Sequence, residues 1–162
     1  QSALDNGETF RRVIHGDPKI DNVLFAVDSG RAAALIDLDT VSPGIPACDI
    51  GDCLRSYCNV LGEDPSRPGD VVFDTDICKS MLDGYRASGV SFPAGERHLV
   101  YEGVKLLTYE LGLRFLTDYL NNNRYFKVDE DDKNLRRAVV QFILLNSIEQ
   151  QQETIKEIAI QG

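Results

Sequence analysis

The stretch His15-Gly16-Asp17-Pro18-Lys19-Ile20-Asp21-Asn22-Val23-Leu24-Phe25, answered downstream by Ile36-Asp37-Leu38-Asp39, decides how this chain reads. Pro18 disfavours helical geometry at the residue before it, so Asp17 belongs to a fixed loop that also carries Asn22. Val23 to Val27 is apolar and strand-like, Asp28-Ser29-Gly30-Arg31 has turn chemistry, and Ala32 to Ile36 supplies a partner strand. Such a hairpin returns Asp37 and Asp39 to the neighbourhood of Asp17 and Asn22. Two residues apart just beyond a strand, the two carboxylates point the same way if the chain stays extended.

The remaining composition sets bounds. The chain has 162 residues, 43% of them hydrophobic and 27% charged, enough for one domain that buries a sizeable core. A formal charge of -9 speaks against a nucleic-acid footprint, which is basic. No apolar run has the length of a membrane span, and no charged, apolar-cored leader opens the sequence. Cys48, Cys53, Cys58 and Cys78 form no Cys-x-x-Cys pair, and with two histidines a zinc site has little support. They read as free thiols in a reducing cytoplasm. Hard cations take oxygen ligands, often one or two carboxylates together with phosphate and water. Asn22, Asp37 and Asp39 offer such ligands, which leaves Asp17 to act on a hydroxyl; a turn Asp bonded to its own backbone is the alternative reading.

Along the chain, residues 1–9 read as a frayed lead-in and Val13-Ile14 as a short strand. Val41 to Pro46, with two prolines and a glycine, reads as irregular. Asp49 suits the N-cap of a helix reaching Asn59. After an exposed loop from Leu61 to Asp70, Asp74 or Thr75 caps a helix to about Ser88, with Ile77, Met81, Leu82 and Tyr85 on one face. Ala94 to Asn121 is a long helix whose Val100, Val104, Leu107, Leu111 and Phe115 recur at threes and fours. Asn121-Asn122-Asn123 ends it. A last helix spans about Lys133 to Ile158, with Leu135, Val139, Phe142, Ile143 and Leu145 inward and Gln150-Gln151-Gln152 solvated. The aromatics Tyr85, Phe92, Tyr101, Tyr109, Phe115 and Phe142 read as core, and His98 as a surface residue. Arg114 and Asp118 are placed for an i,i+4 ion pair.

The order Asp17, four residues, Asn22, then Asp37 after a strand resembles the phosphoryl-transfer motif of the aminoglycoside phosphotransferase and choline kinase superfamily, relatives of the protein kinases. Within it, Leu113-Arg114-Phe115-Leu116-Thr117-Asp118-Tyr119-Leu120 followed by Tyr125-Phe126-Lys127 is most similar to N-acetylhexosamine 1-kinases and related sugar kinases. The resemblance implies an α+β, mostly helical fold: a protein-kinase-like C-terminal lobe in which a small β-hairpin carries the catalytic and metal loops. It implies catalytic Asp17, and Mg²⁺ held by Asn22, Asp37 and Asp39. Lys19 would contact the transferred phosphoryl group, or stand as a solvated lysine. His15 and Asp49 would be structural, Asp49 holding the loop backbone, although helix capping explains that aspartate equally. Arg114 and Tyr125 would line a sugar pocket.

The activity so implied is transfer of the ATP γ-phosphoryl group to a small-molecule hydroxyl. An aminoglycoside, choline or other amino-alcohol kinase is one alternative and a catalytically silent binding module another. Neither Gly-x-Gly-x-x-Gly nor a Walker sequence occurs. Residues 1–162 are therefore read as a C-terminal catalytic lobe whose parent has a further lobe over the nucleotide. Alone, it is expected to fold without catalysing, and to self-associate through the apolar face left bare, as a two-fold homodimer.

Overall fold

The computed structural model describes residues 2–90 and 94–161, and its architecture is a helical bundle bearing two small antiparallel ribbons. In chain order the elements are α1 (Ser2–Asp5), β1 (Arg12–Ile14), β2 (Val23–Phe25), β3 (Ala32–Leu35), β4 (Ser42–Gly44), α2 (Pro46–Tyr57), α3 (Thr75–Ala87), α4 (Ala94–Leu120), α5 (Lys133–Gln150) and α6 (Gln152–Ile160). β2 pairs with β3, Val23 opposite Leu35, across the expected turn, where Gly30 takes a positive φ of 64° and donates its N–H to Ala26 O. The architecture is compatible with α+β and mostly helical, and no helix among the described residues is long and apolar enough to cross a membrane.

The core lies among the helices. Leu54 of α2 and Cys58 just after it, Cys78 and Leu82 of α3, Val100, Tyr101 and Val104 of α4, Val140, Leu144 and Ile148 of α5, and Ile155 of α6 form one buried cluster, joined by Val71 and Phe73 from the loop before α3. Asp74 caps α3, its carboxylate accepting the N–H groups of Asp76 and Ile77 at 2.9 Å each. α2 and α4 cross at backbone contact. A Cβ added to Gly51 would lie 2.5 Å from the Gly103 carbonyl carbon, and one added to Gly103 would strike Ala47 O.

Several expectations give way. Ser42–Gly44 is a strand, paired with β1 so that Val13 faces Pro43; proline is tolerated there because the ladder is short and at an edge. α2 begins at Pro46, which suits the first helical position, so its N-cap is Ile45 and Asp49 sits inside the first turn. The lead-in is anchored: Thr9 is buried and donates its hydroxyl to buried Glu96 at 3.0 Å. The last helix is two helices broken at Gln151, whose side-chain amide donates to Phe73 O at 2.8 Å instead of meeting solvent. α5 is also turned from its expected phase. Of the expected inward set Ile143 packs against the core, but Val139 is exposed, while Asn134, Ala138, Gln141, Leu144 and Ile148 are buried, because the inward stripe includes polar residues that a count of apolar ones skips. Tyr109 is exposed, and Phe92 lies outside the described residues.

The α2–α4 crossing has no room for a methyl group at either glycine. Gly103→Ala should destabilise the fold by about 1–3 kcal/mol, the usual range for overpacking, read as a lowered urea midpoint. An unchanged midpoint would mean that the two helices do not meet there.

Candidate active site

One face of α2 carries the loop of residues 15–20. Asp49, Cys53 and Ser56 recur at four and three along the helix, and each binds loop backbone. The Asp49 carboxylate accepts His15 N–H at 2.6 Å and Gly16 N–H at 2.9 Å. The Cys53 thiol donates to Pro18 O at 3.3 Å, and the Ser56 hydroxyl accepts Ile20 N–H at 3.1 Å. Burial foremost, and then the Asp52 and Asp49 charges, push the Cys53 thiol up to about 12, so it stays protonated and able to donate. From the other side the Thr40 hydroxyl donates to His15 O at 2.7 Å. Gly16 needs to be glycine twice over: its φ is +85°, and a Cβ would lie 2.7 Å from Thr40 O.

His15 is buried and spans the two halves of the motif. Its Nδ1 accepts Asp17 N–H at 3.3 Å, and its Nε2 lies 2.9 Å from Ile36 O, the residue before Asp37. The two bonds together call for the tautomer with its proton on Nε2. Asn22, also buried, donates its Nδ2 to Asp17 O at 2.7 Å and to Asp17 Oδ2 at 3.2 Å, which leaves Oδ1 as its free oxygen end.

Asp37 and Asp39 are exposed, but not in the extended arrangement expected of them. Asp37 is left-handed (φ 64°, ψ 62°) and Asp39 lies in the 3-10 turn Leu38–Thr40, so alternation along a strand does not relate them. Asp37 makes no capping bond to that turn. Among the described residues no three His, Cys, Asp or Glu side chains gather as a metal cluster. The Asn22, Asp37 and Asp39 set has two carboxylates and an amide oxygen, a donor chemistry that fits a hard cation sharing its shell with phosphate and water.

Asp17 opens onto a cleft of about 470 Å³. Lys19 Nζ sits 2.9 Å from Asp17 Oδ2. Burial alone would lower this lysine; the hydrogen bond and charge of Asp17 overcome it and hold the ammonium above its ordinary value. Arg114 and Tyr125, distant in sequence, line the same cleft with Phe115, Phe126, Lys127 and Arg137. Its charges balance: acidic Asp17, Asp21, Asp52, Glu63 and Glu110 meet basic Lys19, Arg55, Arg114, Lys127 and Arg137. Arg55 is itself buried against Asp52 at 2.8 Å and Glu63 at 3.3 Å. Asn22, Asp37 and Asp39 are not among the lining residues.

The Arg114 guanidinium lies 5.5 Å from the Tyr125 ring centre and 5.4 Å from that of Phe126, and its Nη2 is 3.3 Å from the Tyr125 hydroxyl. Its ionic neighbour one turn away is Glu110, at 3.7 Å, and not Asp118. Asp118 instead turns inward and accepts Tyr125 N–H at 2.8 Å and Phe126 N–H at 2.9 Å. Burial would raise this carboxyl; the N–H groups of Phe126, Tyr125 and Arg124 outweigh that and hold it below the ordinary range.

Residues 2–71 match the family model described as "Phosphotransferase enzyme family". The match supports a phosphotransferase of the kinase-like class, and it spans Asp17, Asn22, Asp37, Asp39 and Asp49. Arg114, Asp118 and Tyr125 lie beyond it.

Cys53, Ser56, Thr40 and Arg137 are parts of the site that sequence reasoning passed over. The spacing of Asp49, Cys53 and Ser56 on one helical face was the available signal for the first two. Asp49→Ala would leave two backbone donors without their charged acceptor, and a loss of about 2–4 kcal/mol follows from hydrogen bonds to charged groups. Thermal unfolding checks this, since simple removal of a helix-surface carboxylate would leave stability within about 0.5 kcal/mol.

Proposed function

We propose that the protein in which this chain forms the catalytic lobe transfers the γ-phosphoryl group of ATP to a hydroxyl of a small sugar, an N-acetylhexosamine at its anomeric position. The observation that carries the reading is the sharing of one cleft by Asp17 and the Arg114–Tyr125 wall. Phosphoryl transfer asks the protein mainly to position reactants and stabilise charge. Asp17, held through its own N–H and by Asn22, orients the acceptor hydroxyl and takes its proton. The hydroxyl oxygen bonds to the γ-phosphorus, the bond to the bridging oxygen breaks, and ADP leaves. Lys19, already within reach of Asp17, follows the phosphoryl group as it moves.

Asn22, Asp37 and Asp39 would hold Mg²⁺, which when bound neutralises charge on the nucleotide phosphates. Arg114 offers a planar fork of donors to hydroxyl or acetamide oxygens, while Tyr125 adds a ring face and a hydroxyl. An amino-alcohol acceptor would be served by an acidic cleft. The presence of Arg114 in the lining and the balanced charges favour a neutral acceptor.

The test is ADP release by the full-length protein with ATP, Mg²⁺ and either N-acetylglucosamine or N-acetylgalactosamine, beside choline and an aminoglycoside. Turnover should be highest with an acetylated hexosamine; preference for a cationic acceptor would overturn the sugar reading. Asp17→Asn should lower turnover ~10²–10⁴-fold, the range for loss of a general base, with nucleotide binding nearly unchanged. Near wild-type turnover would remove Asp17 from the chemistry. Asp37→Ala should weaken Mg²⁺–nucleotide binding more than Asp39→Ala in a Mg²⁺ titration. Equal losses would make the two carboxylates equivalent ligands.

A further inference from the structure

Behind the aromatic wall of the cleft lies a buried polar hub centred on Asp118. It stands in the last turn of α4, where the helix dipole disfavours a negative charge. It is only 6% exposed, and a buried carboxylate is expensive unless its oxygens are satisfied. Ending the helix does not require it, because Asn122 and Asn123 already take left-handed conformations there, with φ of 60° and 52°. The charge answers to something else: one oxygen accepts Tyr125 N–H, and the other accepts both Phe126 N–H and the Nδ2 of fully buried Asn134 at 2.9 Å.

We propose that Asp118 is a positioning residue that sets the acceptor-binding wall, fixing the backbone of Tyr125 and Phe126 and, through Asn134, the guanidinium of Arg137. This rests on the reading that the Asp17 cleft takes the acceptor. The Phe126 ring packs against Phe115 with centroids 4.6 Å apart and meets the Tyr125 ring edge-on at 4.8 Å. Arg114 rests over both Tyr125 and Phe126, so a shift of the 125–126 backbone displaces the guanidinium that faces the acceptor. Asn134 carries the second arm. Its Nδ2 also donates to Asn123 Oδ1 at 3.1 Å, and its Oδ1 accepts Arg137 Nη1 at 3.3 Å. Arg137 lies 5.5 Å from the Phe115 ring centre and lines the cleft. Asp118 touches neither the cleft of Asp17 nor Asp17 itself, yet both arginines on the aromatic side depend on where it holds the chain.

The experiment is Asp118→Asn in the full-length protein, beside Arg114→Ala, with N-acetylglucosamine and ATP–Mg²⁺ as probes. The amide keeps the shape but cannot accept from all three donors. Loss of one charge-assisted bond predicts an acceptor KM raised about ten-fold, with kcat and the ATP KM within about two-fold of wild type. Hydrogen exchange at the Tyr125 and Phe126 amides should speed up. A structural role alone would move kcat and both KM values together, and that result would overturn the proposal. So would an unchanged acceptor KM in Asp118→Asn while Arg114→Ala raises it, which would leave the acceptor reading standing. If Arg114→Ala also leaves the acceptor KM unchanged, or if neither N-acetylglucosamine nor N-acetylgalactosamine is phosphorylated, the acceptor reading fails. Exchange at Tyr125 and Phe126 then still decides whether Asp118 sets this wall, and unchanged exchange in Asp118→Asn rejects it.

Discussion

The carboxylate of Asp49, shared between the N–H groups of His15 and Gly16, is the contact on which the site depends. A loop with a positive-φ glycine and a proline has few ways to satisfy its own backbone, and buried backbone groups left unpaired are costly. α2 supplies the missing partners from one face, with Cys53 and Ser56 continuing what Asp49 begins. Thr40 and Ile36 then tie the far side of the hairpin to the same loop through His15. Asp17 is thus presented by a frame built before any ligand arrives, which suits a reaction that gains from fixed positioning.

The frame extends because α2 is locked onto α4. The glycine contact at Gly51 and Gly103 brings the two backbones together, and α4 continues past that crossing to Arg114 and Phe115, which line the same cleft as Asp17. The loop bearing Asp17 and the wall bearing Arg114 therefore belong to one packed unit, although about a hundred residues of chain separate them. Charge follows the same economy. Arg55 is neutralised locally by Asp52 and Glu63, and Lys19 by Asp17, so the cleft carries many ionic groups with little net field.

Much of this was legible in the sequence, and for identifiable reasons. The loop-and-hairpin order around Asp17 and Asn22, the Asp74 cap and the Val100, Val104 and Phe115 positions of the α4 stripe are local signals that lie where their spacing places them, while Leu107 and Leu111 of that stripe line the cleft instead of the core. Asp49 was legible as important but ambiguous in partner, since an aspartate near a helix start looks the same whether it caps that helix or reaches another segment. Contacts that depend on distant chain were invisible. Nothing near Gly103 announces Ala47, and nothing near Asp118 distinguishes an ion pair with Arg114 from bonds to the Tyr125 and Phe126 backbone. The phase of α5 was misread because Asn134 and Gln141 are buried polar residues, one of them bound into the Asp118 hub. The left-handed turn at Asp37 was likewise missed, because its residue type alone does not require that geometry.

In the free protein α2 holds the Asp17 loop in its working shape. Native-state hydrogen exchange at the His15 and Gly16 amides tests it most directly. If Asp49 holds them as the geometry describes, both amides exchange as slowly as those in the interior of α2, without nucleotide or acceptor present. Exchange at the rate of an open loop, slowed only when ligand is added, would contradict it.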